Sequence, residues 1–333
     1  MDAADETTPA LTTLLLYAGV VFGGLYFLRR WIKGRQFTER MSAKDKVAVV
    51  TGASAGIGLE TVRELNYRKA KVYMLCRNED RANEAKRKLV RVGCDPTRLI
   101  FVQCDLSSFE SIREAAKEIT QAEQAIDILI NNAGIMFYPK FEKTVDGHEM
   151  TWQSNYLGHF LLTELLLPAL KRAQHGRIIN VSSKLHHKSK KIDLATVDDK
   201  KAFGMMQPYN RSKLANVMHA RELTKRLRKA SIHNVTANSL HPGVIDSELS
   251  RHLPFVNKPL IRQIAKPITW FFMRTPKDGA QTTLYLALSK HIDGVSGKYF
   301  SDCKLEAENP VATDDAACED LYNYSLEACG LQK

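Results

Sequence analysis

Six cysteines stand at positions 76, 94, 104, 303, 318 and 329 of the 333-residue chain, and none forms a CxxC pair. The usual zinc and dithiol signatures are therefore missing, no metal site is expected, and a reducing compartment suits the pattern better than a disulfide framework. Cys76 and Cys104 end apolar runs, where cysteine behaves as a small buried hydrophobe. Internal repeats and low-complexity tracts are also absent. With 44% hydrophobic residues, the chain is long enough for one large α/β domain plus an appendage, or for two small domains. Acidic residues are in deficit, and the formal net charge is +11. Such a balance suits a phosphate-bearing cofactor, an anionic membrane surface or nucleic acid, and does not choose among them. The basic clusters Lys184 to Lys191 and Lys225 to Lys229 lack the interleaved aromatics of a base-stacking platform. They read as solvated faces, and no nucleic-acid partner is expected. His186 and His187 have no third ligand beside them and read as surface residues.

One long stretch lacks charge altogether. No Asp, Glu, Lys or Arg occurs from Thr7 to Leu28, and Leu11 to Leu28 is strongly apolar. About 20 such residues cross a bilayer as a helix. A cleaved signal peptide carries its basic residues ahead of the apolar run. Here Asp2, Asp5 and Glu6 precede the run, and Arg29, Arg30, Lys33 and Arg35 follow it. Residues 1–35 are therefore expected to form a retained single-pass anchor with its basic flank, and 36–43 a polar linker. Residues 44–333 are then the globular domain, facing the cytosol by the positive-inside rule. A buried helix is the competing reading.

The globular part alternates short apolar runs with helical patterns. Val47 to Val50 leads into Thr51-Gly52-Ala53-Ser54-Ala55-Gly56-Ile57-Gly58, and a helical pattern starts at Leu59. This is a GxxxGxG variant; the GxGxxG spacing is absent, and no Gly-Lys-Ser/Thr follows to make a P-loop. Strand, glycine-rich turn and helix form the first half of a dinucleotide-binding unit. The glycines let the backbone approach a pyrophosphate, and the helix N-terminus supplies amide donors. The second strand, Lys71 to Cys76, ends without the acid that takes the ribose hydroxyls in NAD-binding units. Arg77 stands there instead and fits a 2′-phosphate, so NADP(H) is expected over NAD(H), against the plainer reading of a surface arginine.

Leu99 to Cys104 is a third strand ending in Asp105-Leu106, where the acid either accepts from an adenine amine or caps the next helix. Ile126 to Ile130 runs into Asn131-Asn132-Ala133-Gly134, a strand end that reads as structural and cofactor-facing. Glu149 to Lys171 reads as one long helix, Arg177 to Val181 as a strand ending in Ser182-Ser183, and Asn234 to Leu240 as a strand ending in His241-Pro242-Gly243-Val244. A polar connection of about 25 residues after Ser183 is long enough to be a functional loop. The alternation gives a doubly wound parallel sheet, a Rossmann-type α/β fold, which binds ligands at the strand C-terminal edge.

The chemistry centres on Tyr209-Asn-Arg-Ser-Lys213, inside a helical pattern from Pro208 to Lys229. Four residues apart, the phenol and the ammonium project from one helix face. A lone phenol titrates near pH ~10, and a nearby cation lowers that value, so the pair reads as a general acid/base.

These motifs together resemble the short-chain dehydrogenases/reductases, over roughly residues 44 to 300. The resemblance implies Asn155, Ser183, Tyr209 and Lys213 as the catalytic set. Tyr209 would protonate a carbonyl oxygen, with Ser183 hydrogen-bonding the same atom. Lys213 would depress the tyrosine and hold the nicotinamide ribose, and Asn155 would position a water. Cofactor contacts are implied at Gly52, Ser54, Gly56, Ile57, Gly58, Arg77, Asp105, Leu106, Asn132, Ala133, Tyr209, Lys213, Pro242, Gly243 and Val244. The anchor, Cys76-Arg77-Asn78, Asn155-Tyr-Leu-Gly-His-Phe160 and the stretch from His241 to Leu249 resemble the microsomal retinol dehydrogenases that use NADP(H). That implies a hydrophobic alcohol or carbonyl substrate and the endoplasmic reticulum membrane, with a mitochondrial membrane or lipid droplet as alternatives and a homodimer left open. Residues 250–275 sit where that family has its substrate lid, and Leu260, Ile261, Ile264 and Ile268 recur at helical spacing there.

Other readings stay in view. The resemblance puts a retinol- or retinal-like substrate or another lipid aldehyde first, with a steroid or fatty aldehyde as the alternative. A non-catalytic NADP-binding scaffold, or a membrane-tethered interaction module, is the alternative outside enzymes. Of four glycosylation sequons, at Asn180, Asn210, Asn234 and Asn323, two adjoin the proposed site, which suits a cytosolic domain.

Overall fold

A computed structural model describes residues 7–245, 271 and 273–331, with side chains from residue 12 onward. The lid expected over 250–275 lies almost wholly outside the described residues.

Eight strands form one sheet in the order β3-β2-β1-β4-β5-β6-β7-β8. The strands are β1 (Val47–Thr51), β2 (Lys71–Cys76), β3 (Leu99–Gln103), β4 (Ile128–Asn131), β5 (Gly176–Val181), β6 (Val235–His241), β7 (Tyr299–Ser301) and β8 (Lys304–Leu305). All neighbours pair in parallel except β7 with β8. The central strands are buried on both faces, as β1 shows with Ala48, Val49 and Val50 at 0% exposure.

Side chains alternate across the sheet, so β2 sends Tyr73 and Leu75 to one face and Val72 and Met74 to the other. The first face packs on α4 (Phe109–Ala122), α6 (Gly158–Arg172), α7 (Gln207–Lys229) and α9 (Asp315–Ala328). The second packs on α2 (Gly56–Tyr67), α3 (Glu79–Arg91) and α8 (Pro276–Leu288). Each fully buried Leu or Ile in these layers stabilises the fold by about 1.5–3 kcal/mol before entropy is charged against it.

The helix expected over Glu149 to Lys171 is interrupted. A short α5 (Met150–Trp152) passes into a π turn at Gln153–Leu157, and only then does α6 begin. Glu149, 0% exposed, holds the start by accepting from the amides of Thr151 (2.9 Å) and Trp152 (2.7 Å). Arg211 from α7 faces this carboxylate at 3.8 Å and lies over the Trp152 ring.

The amino-terminal helix α1 (Thr7–Lys33) is long and apolar enough to cross a membrane, and only 6% of its apolar window is buried. Leu16, Phe22 and Trp31 are among its exposed side chains. The segment after it is held against the domain. The Phe37 amide donates to Gln281 (3.0 Å), Arg68 donates to the carbonyls of Glu39 and Met41, and Ser289 donates to the Glu39 carboxylate.

Candidate active site

The C-terminal ends of β1, β2, β3, β4, β5 and β6 open onto one cleft. It is lined by the glycine-rich turn, Arg77, Asp105, Ala133, Ser183, Tyr209, Lys213 and Gly243 among others. At one side the turn from Gly52 to Gly56 uses left-handed backbone at both glycines, φ +64° and +57°. A Cβ at Gly52 would sit 3.0 Å from the Ala133 Cα, and one at Gly58 would collide with the Gly52 carbonyl. Gly58 thus lies beneath the turn, not on the cleft wall, and serves close packing. Helix α2 starts at Gly56 behind Ala55, which makes no side-chain cap. Its first amides are orphan donors at the positive end of a 12-residue helix, a fit for a pyrophosphate.

At the tip of β2, Arg77, Asn78 and Arg81 border the cleft. Arg81, on the first turn of α3, is a cation the sequence reading did not single out. Its only signal was its place one turn along from Arg77. Asp105 borders the cleft too, but its Oδ1 already accepts from the Ser107 amide (2.9 Å) and hydroxyl (2.6 Å).

At the other side, Ser183, Tyr209 and Lys213 line the cleft together, with the Ser183 hydroxyl close enough to the phenol to lower its pKa. Tyr209 is 3% exposed, and burial pushes its phenol up to about 12, with the Ser183 contact pulling the other way. Burial alone drives the Lys213 ammonium down to about 8. Its Nζ donates to the Val181 carbonyl (2.9 Å) and lies 5.6 Å from the Tyr209 ring centroid. Burial, and not the depression of Tyr209 by Lys213 expected from their spacing, is the leading cause of both shifts. A Cβ at Gly134 would come within 3.4 Å of both Lys213 Nζ and Asn155 Oδ1, so this glycine leaves the space between them open.

Asn155 and Val244 do not line the cleft. Val244 is 68% exposed and contributes only its backbone. Asn155 sits in the π turn with its side chain fully engaged. Oδ1 accepts from the Ile135 amide (2.8 Å), while Nδ2 donates to the Ile135 carbonyl (3.0 Å) and the Ser212 hydroxyl (3.1 Å). It clamps the Asn-Ala-Gly-Ile loop from behind.

His159 completes this support and was missed in the sequence. Its Nδ1 faces the Asn155 carbonyl at 3.0 Å and its Nε2 faces the Thr51 hydroxyl at 2.8 Å. The Thr51 hydroxyl oxygen accepts from the amides of Asn132 and Ala133, both at 2.9 Å. Burial holds His159 down at about 4, so it is a neutral ring that donates through Nδ1 and accepts through Nε2. Asn132 in turn donates from its side chain to the Thr51 carbonyl. Below lies a ladder in which Asn131 donates to Asn180 (2.8 Å), Asn180 to the Asn216 carbonyl (3.1 Å) and Asn216 to the Asn155 carbonyl (3.2 Å). Asn180, a sequon residue, is 1% exposed. His186, expected at the surface, is fully buried; its ring contacts the Ser183 carbonyl through Nδ1 and accepts the Asn309 amide through Nε2.

The glycine turn, the strand-end asparagines and the paired tyrosine and lysine on one helix define a dinucleotide-dependent dehydrogenase architecture. Residues 46–254 match the short chain dehydrogenase family, and the chain belongs to it. Retinol dehydrogenase 14 of Homo sapiens is 42% identical over 344 residues, covering 97% of this chain and all of that protein. Retinol dehydrogenase 14 of Mus musculus is 39% identical, over 93% of this chain and 96% of its own. Retinol dehydrogenase 12 of Homo sapiens is 40% identical, over 92% and 93%. Among solved structures, an uncharacterized protein from Mycobacterium paratuberculosis superposes with a TM-score of 0.70 at 27% identity, covering 89% of this chain and 98% of that one.

Proposed function

We propose that the protein is a membrane-anchored, NADP(H)-dependent oxidoreductase that interconverts a hydrophobic alcohol and its carbonyl compound, with retinol and retinal as the model pair. The observation that carries this reading is one cleft with a buried Ser183–Tyr209–Lys213 cluster at one side and the cations Arg77 and Arg81 at another. Exposed apolar surface along α1 and the retinol dehydrogenase relatives support the anchor and the substrate class. The basic residues Arg29, Arg30, Lys33 and Arg35 at the end of α1 support a single pass with the domain on the cytosolic face, and the endoplasmic reticulum is the membrane that the sequence resemblance implies.

The α2 amides and the Gly52 to Gly56 turn would hold the pyrophosphate, Arg77 and Arg81 the 2′-phosphate, and Lys213 the nicotinamide ribose. The bound cofactor supplies the hydride. In reduction, the Tyr209 hydroxyl gives its proton to the substrate oxygen as the carbonyl carbon gains hydride. Ser183 donates a hydrogen bond to that oxygen and disperses its growing charge. Asn155 and His159 keep the Ala133-Gly134 segment fixed relative to Lys213; with its side chain and carbonyl already engaged, Asn155 supports the loop instead of positioning the water the resemblance implied.

The test is a panel of retinal, a steroid ketone and long-chain aldehydes, each with NADPH and NADH, on the detergent-solubilised full chain. The reading expects turnover of a lipid carbonyl with NADPH several-fold faster than with NADH. A preference for NADH, or turnover confined to small water-soluble carbonyls, overturns it.

A further inference from the structure

The end of the anchor helix meets the cofactor side of the domain at Arg274. The Arg274 amide donates to the Val244 carbonyl (2.9 Å), and Arg274 pairs with Ile245 as a parallel bridge. Its stem lies over Gly243, where φ is +97° and a Cβ would overlap the Arg274 Cδ. The guanidinium then reaches away from the cleft. Nε donates to the Ile32 carbonyl (2.9 Å) in the last turn of α1, and Nη1 pairs with Asp302 (2.6 Å). Gly34, at φ +71°, leaves room for both partners, since a Cβ there would overlap the Arg274 guanidinium and the Asp302 carboxylate. The seam is doubled from the anchor's side. Arg29, 7% exposed, donates to the carbonyls of Met273 (3.0 Å) and Phe271 (3.3 Å). The Ile32 carbonyl is among the last of the helix, which lack an intrahelical donor, and it lies at the negative end, where a cation is favoured.

We propose that Arg274 is a positioning residue that ties the Pro242-Gly243 loop to the last turn of the anchor helix, so that the seating of the anchor sets the affinity of the cleft for its cofactor. The proposal rests on the cleft taking a dinucleotide. One contact surface serves two ends: the stem of Arg274 fixes the loop, and its head fixes the anchor. Loosening either end frees the loop from its bound geometry, and cofactor binding must then order it again. Once the cofactor is bound, the loop is ordered and the chemical groups at Tyr209 are unchanged. The effect therefore falls on affinity and spares turnover at saturation.

The experiment uses the full chain in detergent with NADPH as the probe. Dissociation constants come from fluorescence titration, with turnover at saturating NADPH and the thermal midpoint measured alongside. Arg274→Met, and Gly34→Ala placed on the anchor side, are each expected to raise the NADPH dissociation constant about tenfold, or about 1.4 kcal/mol. Turnover at saturation should stay within about twofold. Arg274→Lys should recover part of the loss by keeping a cation at the helix end. The double variant should be no weaker than Arg274→Met, because both changes act through one contact. An unchanged dissociation constant in Gly34→Ala overturns the proposal, as do additive losses in the double variant. If Arg274→Met does not fold, the Gly34→Ala arm decides alone. A wild-type chain that binds no dinucleotide would instead remove the reading of the cleft, and this inference with it.

Discussion

Inside the cleft, two buried groups are pushed toward neutrality from opposite sides. Tyr209 sits at about 12 and Lys213 at about 8. The phenol therefore keeps its proton throughout the neutral range and is ready to donate it in reduction. Lys213 is charged below about 8 and loses its charge above it. For reduction, kcat/KM should be flat below that point and fall as pH rises through it, because the free enzyme then lacks the ribose-binding cation. Lys213→Arg should lower the plateau, since its fork does not fit the Val181 carbonyl, and should carry the falling limb out of the measured range. A limb that stays near pH 8 in that variant assigns the titration to another group. In the proposed reading, Arg77 decides cofactor choice. Arg77→Ala should raise the NADPH dissociation constant about tenfold and leave NADH nearly unchanged, because only the 2′-phosphate is lost as a partner. Equal losses for both cofactors, read by titration, would remove its assigned role.

Among the elements, the π turn at Gln153–Leu157 does the most for the site. It puts the Asn155 carbonyl within reach of both His159 and Asn216, where an unbroken helix would keep that carbonyl for its own ladder. No periodicity revealed it. Helix α6 and the turn are buried nearly all round, from Trp152 through Leu162, so the segment has no polar face against which an extra residue shows as a phase shift. The strands β1 to β5 were legible because each is a short, largely apolar run ending in a turn residue or polar pair, and β6, Val-Thr-Ala-Asn-Ser-Leu-His, because it ends in Pro242-Gly243. The pair β7 and β8, with three and two residues, is too short to carry a pattern. The cofactor turn was legible from its glycine spacing between strand and helix, and the Tyr209–Lys213 pair from its spacing taken together with the other motifs. Arg274 was not, because its partners Ile32 and Asp302 are distant in the chain. His159→Leu tests the support. It leaves the Thr51 hydroxyl and the Asn155 carbonyl each short of a buried partner, at a cost of about 1–3 kcal/mol. Urea unfolding should show that loss, and turnover should fall although no cleft residue has changed. Unaltered stability and turnover would mean the bridge is idle.

For the whole molecule, acid sensitivity follows from four buried imidazoles. Burial holds His159 and His186 at about 4 and His219 and His241 at about 3, all below the unfolded value near 6.5. Each stays neutral in the folded chain while the unfolded chain takes up a proton, so stability is complete above pH about 6.5 and falls as pH drops below it. Glu149 and Glu164, whose carboxyls burial pushes up, work in the opposite direction. Urea midpoints should therefore decline from pH 6.5 to 5, and a midpoint constant over that window would show that the imidazoles are hydrated. Helix α1 leaves the domain beside Arg274, and the segment after it packs against α8.

The central claim is that Tyr209 protonates a lipid carbonyl while the cofactor bound in this cleft delivers hydride to its carbon. The most direct measurement follows deuterium from NADPH labelled at the transferable position on nicotinamide C4, with retinal and the full chain in detergent. The account predicts one deuterium at the carbinol carbon of retinol per NADPH consumed. It also predicts loss of the reaction in Tyr209→Phe, with the NADPH dissociation constant within about twofold of wild type. Retinol formed without the label, or formed at the wild-type rate by Tyr209→Phe, would contradict it.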